Sequence, residues 1–152
     1  MLNRRGTSTK QVMVVALALV SSAVLMASAG ANSGGSNEIR LRAQGLAAIN
    51  GIEAQLQGDF RSSAARQRLS GELKNINLDL GTDISFCLDS GGVTSLQATA
   101  PVQAVAGVNI AAFELDTNYW VVVPAVVAGD VLEAHQGTGD CSAPLLISAK
   151  FQ

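Results

Sequence analysis

From Ile39 onward apolar residues recur at every second position, and this spacing constrains the fold more than any other feature of the chain. Ile39, Leu41 and Ala43 alternate with Arg40 and Arg42, and Ala54, Leu56, Gly58 and Phe60 with Gln55, Gln57 and Asp59. Leu69, Gly71 and Leu73 alternate with Ser70, Glu72 and Lys74, and Ile84, Phe86 and Leu88 with Ser85, Cys87 and Asp89. A period of two is that of a strand with one wet face; an amphipathic helix repeats near 3.6. Further runs at Val93–Thr99, Val108–Leu115, Tyr119–Val123, Val131–Gln136 and Leu145–Phe151 have strand composition. Breakers separate them: Asn50-Gly51, Gly81-Thr82-Asp83, Ser90-Gly91-Gly92, Gly107, Gly129-Asp130 and Gly137-Thr138-Gly139-Asp140. Seven to nine short strands with turns every 8–12 residues predict an all-β domain, a single immunoglobulin-like β-sandwich or a small barrel. Ser62–Leu73 has helix-forming composition, but Gly71 and the alternation of Leu69 with Leu73 predict a turn feeding a strand.

This pattern fills residues 38–152; the residues before it have another character. Arg4, Arg5 and Lys10 precede an uncharged run from Gln11 to Ala27, and Ala27-Ser28-Ala29 places small residues at −3 and −1 of a signal-peptidase site. Residues 1–29 therefore read as a cleaved signal peptide, with Gly30 as the mature N-terminus and a secreted or periplasmic destination. Val12–Ala27 is shorter than the ~20 residues that span a bilayer, so no stable membrane anchor is expected. Residues 30–37, GANSGGSN, read as a flexible tether.

The full chain carries 10 basic and 12 acidic residues, and three of the basic ones lie in the leader, leaving 7 against 12 and a formal charge of −5. Six basic residues (Arg40, Arg42, Arg61, Arg66, Arg68, Lys74) fall before Asn75, whereas from Asn75 on there are eight acidic residues and only Lys150. A nucleic-acid binder needs a net basic surface and stacking aromatics. An acidic chain with 4% aromatics argues against that class. The basic cluster reads either as a solvated strand face and turn or as an anion site, and its turn of Arg61, Arg66 and Arg68 is a candidate partner contact. The two cysteines, Cys87 and Cys141, pair most simply as one disulfide in an oxidising compartment. The neighbouring Asp89 and Asp140 would raise a thiol pKa, which argues against reactive thiols.

Ile49-Asn50-Gly51 after the first strand, KNINLDLGT at 74–82, FELDT at 113–117, VPAVVAGD at 123–130 and the apolar closing strand at 145–151 cover most of this region in order. In these pieces the chain resembles a short secreted bacterial β-sandwich module, found singly or in tandem, of uncharacterised function. The resemblance implies fold and export and brings no catalytic residues. Cys87, Cys141 and the GTGDCSAP segment at 137–144 depart from it.

Catalytic constellations are sparse. His135 is the single histidine; Glu133 shares its strand face, and Asp140 and Cys141 follow, which makes Glu133, His135 and Asp140 the one conceivable metal set. No serine lies in a G-x-S-x-G context. Glu114 and Asp116 alternate with Phe113 and Leu115 as a wet strand face, and no phosphate-loop pattern follows Gly34-Gly35 or Gly91-Gly92. No cofactor is expected. Tyr119 and Trp120 are the only Tyr and Trp; in a strand they would point to opposite faces, Trp120 into the core and Tyr119 half-exposed. Pro124 within VVVPAVVAG (121–129) predicts a sheet edge or bend, a candidate surface for self-association or a partner strand.

Two functions stay open at this point. The first is an exported non-enzymatic module with a structural, adhesive or partner-binding role toward a protein or the cell envelope, with contacts at Tyr119, Trp120 and Pro124 and at Arg61, Arg66 and Arg68. The alternative is a small exported hydrolase or metal-dependent enzyme using His135 with nearby acids.

Overall fold

The computed structural model describes residues 38–152, so the signal peptide and tether boundaries lie outside the described residues. Nine strands occur among the described residues: β1 (Ile39–Ile49), β2 (Ile52–Ser62), β3 (Gln67–Lys74), β4 (Asp83–Ser90), β5 (Val93–Pro101), β6 (Gln103–Val105), β7 (Val108–Asp116), β8 (Val131–Gln136) and β9 (Leu145–Lys150). They form two antiparallel sheets, one of five strands in the order β1-β2-β3-β7-β6 and one of four in the order β5-β4-β8-β9. The fold is a β-sandwich rather than a closed barrel.

Inward positions are those the alternation marks. Leu56 and Phe60 of β2, Leu69 and Leu73 of β3, Ile84 and Phe86 of β4, Leu132 of β8 and Phe151 are all buried between the sheets. Gly58 and Gly71 are paired across β2 and β3. A Cβ on Gly58 would lie 3.0 Å from both Leu132 and Phe151, so its missing side chain lets the second sheet approach. On one flank the sheets are joined through main chain: Arg42 and Gln152 exchange both N–H···O bonds, at 3.0 and 2.9 Å, beside a bridge between Ala43 and Phe151. On the other flank β5 and β6 are open edges.

Three expectations are corrected. Tyr119–Val123 is not a strand. Asp116 accepts the N–H of Asn118 at 2.9 Å and caps a 3-10 turn over Thr117–Tyr119, after which Trp120 takes a left-handed conformation with φ 61°. Local side-chain capping has won over the strand propensity of Tyr-Trp-Val. Trp120 is consequently 97% exposed instead of packed in the core, and Val123 and Val126 fill the core from an extended connection. The run VVVPAVVAG is therefore no sheet edge; it crosses from β7 in one sheet to β8 in the other.

The third correction concerns β4, whose expected wet face is buried. Ser85 and Cys87 are both inaccessible because the segment Gly137–Pro144 folds back over them. The Ser85 hydroxyl donates to the Gly137 carbonyl at 2.7 Å and accepts the Gly139 N–H at 3.0 Å. Cys87 is disulfide-bonded to Cys141, with Cα atoms 6.0 Å apart, as the pairing expected from sequence requires.

Candidate functional site

Strand register places three rows of side chains across the outer face of the five-stranded sheet. Arg40, Arg61, Arg68 and Asp116 form the first; Arg42, Asp59, Ser70 and Glu114 the second; Gln44, Gln57, Glu72 and Ala112 the third. Between the second and third rows runs the backbone of Ala43, Gly58, Gly71 and Phe113; Ala43 and Phe113 turn their side chains to the inner face, and the two glycines have none. A groove of about 620 Å³ follows this line across four strands and extends to Arg40 and Arg68. Its size is that of small-ligand sites, but its walls are charged rather than apolar.

The first row sets three guanidinium groups side by side. Like charges directly opposite one another destabilise a sheet, and each arginine here is offset by a carboxylate. Asp59 accepts from Arg40 Nε at 3.1 Å and from Arg61 Nε at 2.7 Å, with Arg42 at 3.7 Å. Partial burial pushes the Asp59 carboxyl up, but the hydrogen bonds from Arg61 and Arg40 outweigh it and hold the carboxyl below its ordinary value. Arg68 donates to Glu114 at 2.8 Å. Arg66, from the β2–β3 turn, lies over Asp116 and donates to both of its oxygens, with Nε at 3.0 and 2.9 Å. Asp116 is thereby fully covered, and its carboxyl lies below the usual range, first through the Arg66 hydrogen bonds and then through the Asn118 N–H.

The same turn holds the aromatic pair. Thr117 Oγ1 accepts the Gln67 N–H at 3.0 Å and donates to the Gln67 carbonyl at 3.3 Å, which clamps the 3-10 turn to the start of β3. Tyr119 (72% exposed) thus lies within electrostatic reach of Arg66, at the end of the sheet that also carries Ser62, Ser63 and Glu38, and the exposed Trp120 and Val122 follow it in the chain. A second cavity of about 280 Å³ is lined there by Glu38, Arg61, Ser62, Ser63, Arg66 and Arg68. Residues treated separately in sequence, the basic turn and the Tyr-Trp pair, form one end of the molecule. Pro124 is half-buried in the connection beyond it.

Glu133 and His135 are brought together as the alternation implies, in a different setting. His135 is 5% exposed beneath the Gly137–Pro144 segment. Its Nδ1 lies 2.8 Å from the Ala143 carbonyl oxygen and its Nε2 lies 3.1 Å from Glu133 Oε2. Both ring nitrogens face protein oxygens, so the hydrogen-bonding positions of the ring are taken up within the fold. Asp140 turns to its own loop, accepting from Ser142 N and Oγ and from Ala143 N, and the Ser142 hydroxyl bond leads in holding its carboxyl below the ordinary value. Among the described residues no three His, Cys, Asp or Glu side chains are arranged to hold a metal ion.

Asp59, Glu114 and Asp116, read from sequence as wet faces, line or support the site together with Arg40 and Arg42 of the basic cluster. One signal was available: a hairpin closed by Ser63–Arg66 puts Arg61 opposite Arg68, a like-charge pair that calls for carboxylates in the next row. No family model matches the chain, and neither the curated proteins nor the solved structures include a significant match to it.

Proposed function

We propose that the protein is an exported, non-enzymatic β-sandwich module that binds a partner through the arginine-lined end of its five-stranded sheet and the aromatic tip beside it. One observation carries this reading. The only Trp of the chain sits in a left-handed backbone conformation that bulky residues avoid, and its side chain is almost wholly exposed, as are those of Tyr119 before it and Val122 after it. Both the conformation and the exposure are unfavourable for an isolated domain, and such strain concentrates at contact sites. The hydrolase or metal-enzyme reading has less support, since the acceptors around His135 and the latch over Ser85 serve to pin a loop.

Export rests on the leader pattern at residues 1–29, and intact mass of the recovered protein tests it through the Gly30 terminus. Binding is tested by sedimentation of the purified protein with isolated cell envelopes. Trp120→Ser with Val122→Ser should release it, whereas His135→Gln should not. An activity that vanishes in a folded, exported His135→Gln variant would reverse the assignment.

A further inference from the structure

We propose that Arg61, Arg66 and Arg68 form an oxyanion site for the phosphodiester headgroup of an anionic phospholipid, and that Tyr119, Trp120 and Val122 enter the lipid interface around it. This assignment rests on the partner-binding reading above and names the partner's chemistry.

The guanidinium groups are held ready for an anion. Each is fixed by one carboxylate: Arg61 to Asp59 through Nε, Arg68 to Glu114 through one Nη, and Arg66 to Asp116. The other Nη groups of Arg61 and Arg68 have no side-chain or backbone acceptor among the described residues. Arg68 Nε is buried and without any partner, and it is the only side-chain atom so placed among the described residues. A donor withheld from water with no acceptor is an unfavourable arrangement, and a rotation of the partly exposed Arg68 side chain would carry this N–H to an oxygen held in the cavity. Planar guanidinium forks suit the oxygens of a phosphate; Ser62 and Ser63 line the same cavity, the Ser63 hydroxyl closing the turn on Arg66, and the cavity also carries one carboxylate, Glu38.

The rim selects the source of that phosphate. A free anion has no use for an exposed Tyr-Trp-x-Val tip, whereas amphipathic Tyr and Trp rings favour the headgroup level of a bilayer. Charge distribution orients the approach. With a formal charge of −5 after the leader, the domain is not attracted to an anionic surface as a whole; Asp79, Asp83, Asp89, Asp130, Glu133 and Asp140 lie outside this end's lining, where five arginines offset Glu38, Asp59, Glu72 and Glu114, with Asp116 beneath Arg66. The arginine end is the part that can face such a surface.

The test uses the purified protein and vesicles of phosphatidylcholine with or without phosphatidylglycerol. Trp120 is the sole Trp, so intrinsic emission reports the tip alone, whatever residues 1–37 do. The expected result is a blue shift on phosphatidylglycerol vesicles, quenching by brominated acyl chains, and weakening with added salt. Arg61→Gln should lower affinity about fivefold, and Trp120→Ser with Val122→Ser, followed by co-sedimentation, about tenfold or more. Arg61 is chosen because Asp59 keeps Arg40, and unchanged melting temperatures confirm that the variants fold. Absence of a shift, equal binding to phosphatidylcholine alone, binding of inorganic phosphate without vesicle binding, or variants that bind like the parent would each overturn the proposal. If vesicles fail while the same substitutions still release the protein from cell envelopes, the lipid assignment falls and the partner-binding reading stands.

Discussion

Replacing Cys87 and Cys141 together by alanine removes a cross-link between residues 54 positions apart. In the chain-entropy relation a closed loop of that size restrains the unfolded chain by about 4 kcal/mol. Against a typical domain stability of about 5–15 kcal/mol the loss is large. For a domain of this size it corresponds to a fall in melting temperature of roughly 12–20 °C. The native state should change little, because the first half of the covering segment keeps its own ties: Gly137 N–H to the Asp83 carbonyl, and Gly139 N–H to Ser85. The mechanism therefore predicts a specific signature in urea melts followed by circular dichroism. The free energy of unfolding falls by about 4 kcal/mol while the m-value rises, since the unlinked chain exposes more surface on unfolding. Hydrogen exchange at Gly139 should stay protected. A loss below about 1 kcal/mol with an unchanged m-value would refute the loop-closure argument.

Gly45→Ala should destabilise by about 1–3 kcal/mol or more in urea melts, because the new Cβ meets the main-chain carbonyl of Ser148, which cannot step aside as a side chain would. Asp116→Asn should flatten the acid limb of the stability–pH curve. The folded carboxyl titrates below its ordinary 3.8, so its contribution is present above that value and is lost as pH falls through the lower folded value; thermal melts from neutral pH downward check it. Trp120→Gly should leave stability unchanged or raise it by about 1 kcal/mol, since the side chain packs on nothing and φ 61° suits glycine; a clear drop would mean that Trp120 is a packing residue. His135→Ala should cost about 1–3 kcal/mol by stranding the Ala143 carbonyl and Glu133, with tip binding intact in the envelope assay.

Alternation marked the segments of β1, β2, β3 and β4, and strand composition those of β5, β7, β8 and β9. β6 was marked by neither: three residues between Val102 and the Ala106-Gly107 turn are too few to display a period. Tyr119–Val123 misled because strand propensity describes a side chain on a half-buried pleat, and here Asp116 and Thr117 instead tie the backbone into a turn. The burial of Ser85 and Cys87 could not be read from β4 itself, since the segment that covers them lies some fifty residues away. The arginine row is a product of register. Arg40, Arg61 and Arg68 are unremarkable singly, and only lateral pairing turns them into one feature.

The exchange of hydrogen bonds between Arg42 and Gln152 bears on the order in which the molecule can be completed. This contact spans 110 positions, so a chain emerging from a ribosome can pair β1 with β2 and β3 early but cannot seal this flank until Phe151 and Gln152 have emerged. Contacts of such long range also slow folding, because the closure entropy must be met before they form. Until they form, β1 has an unpaired edge, and the sandwich stays open along that side.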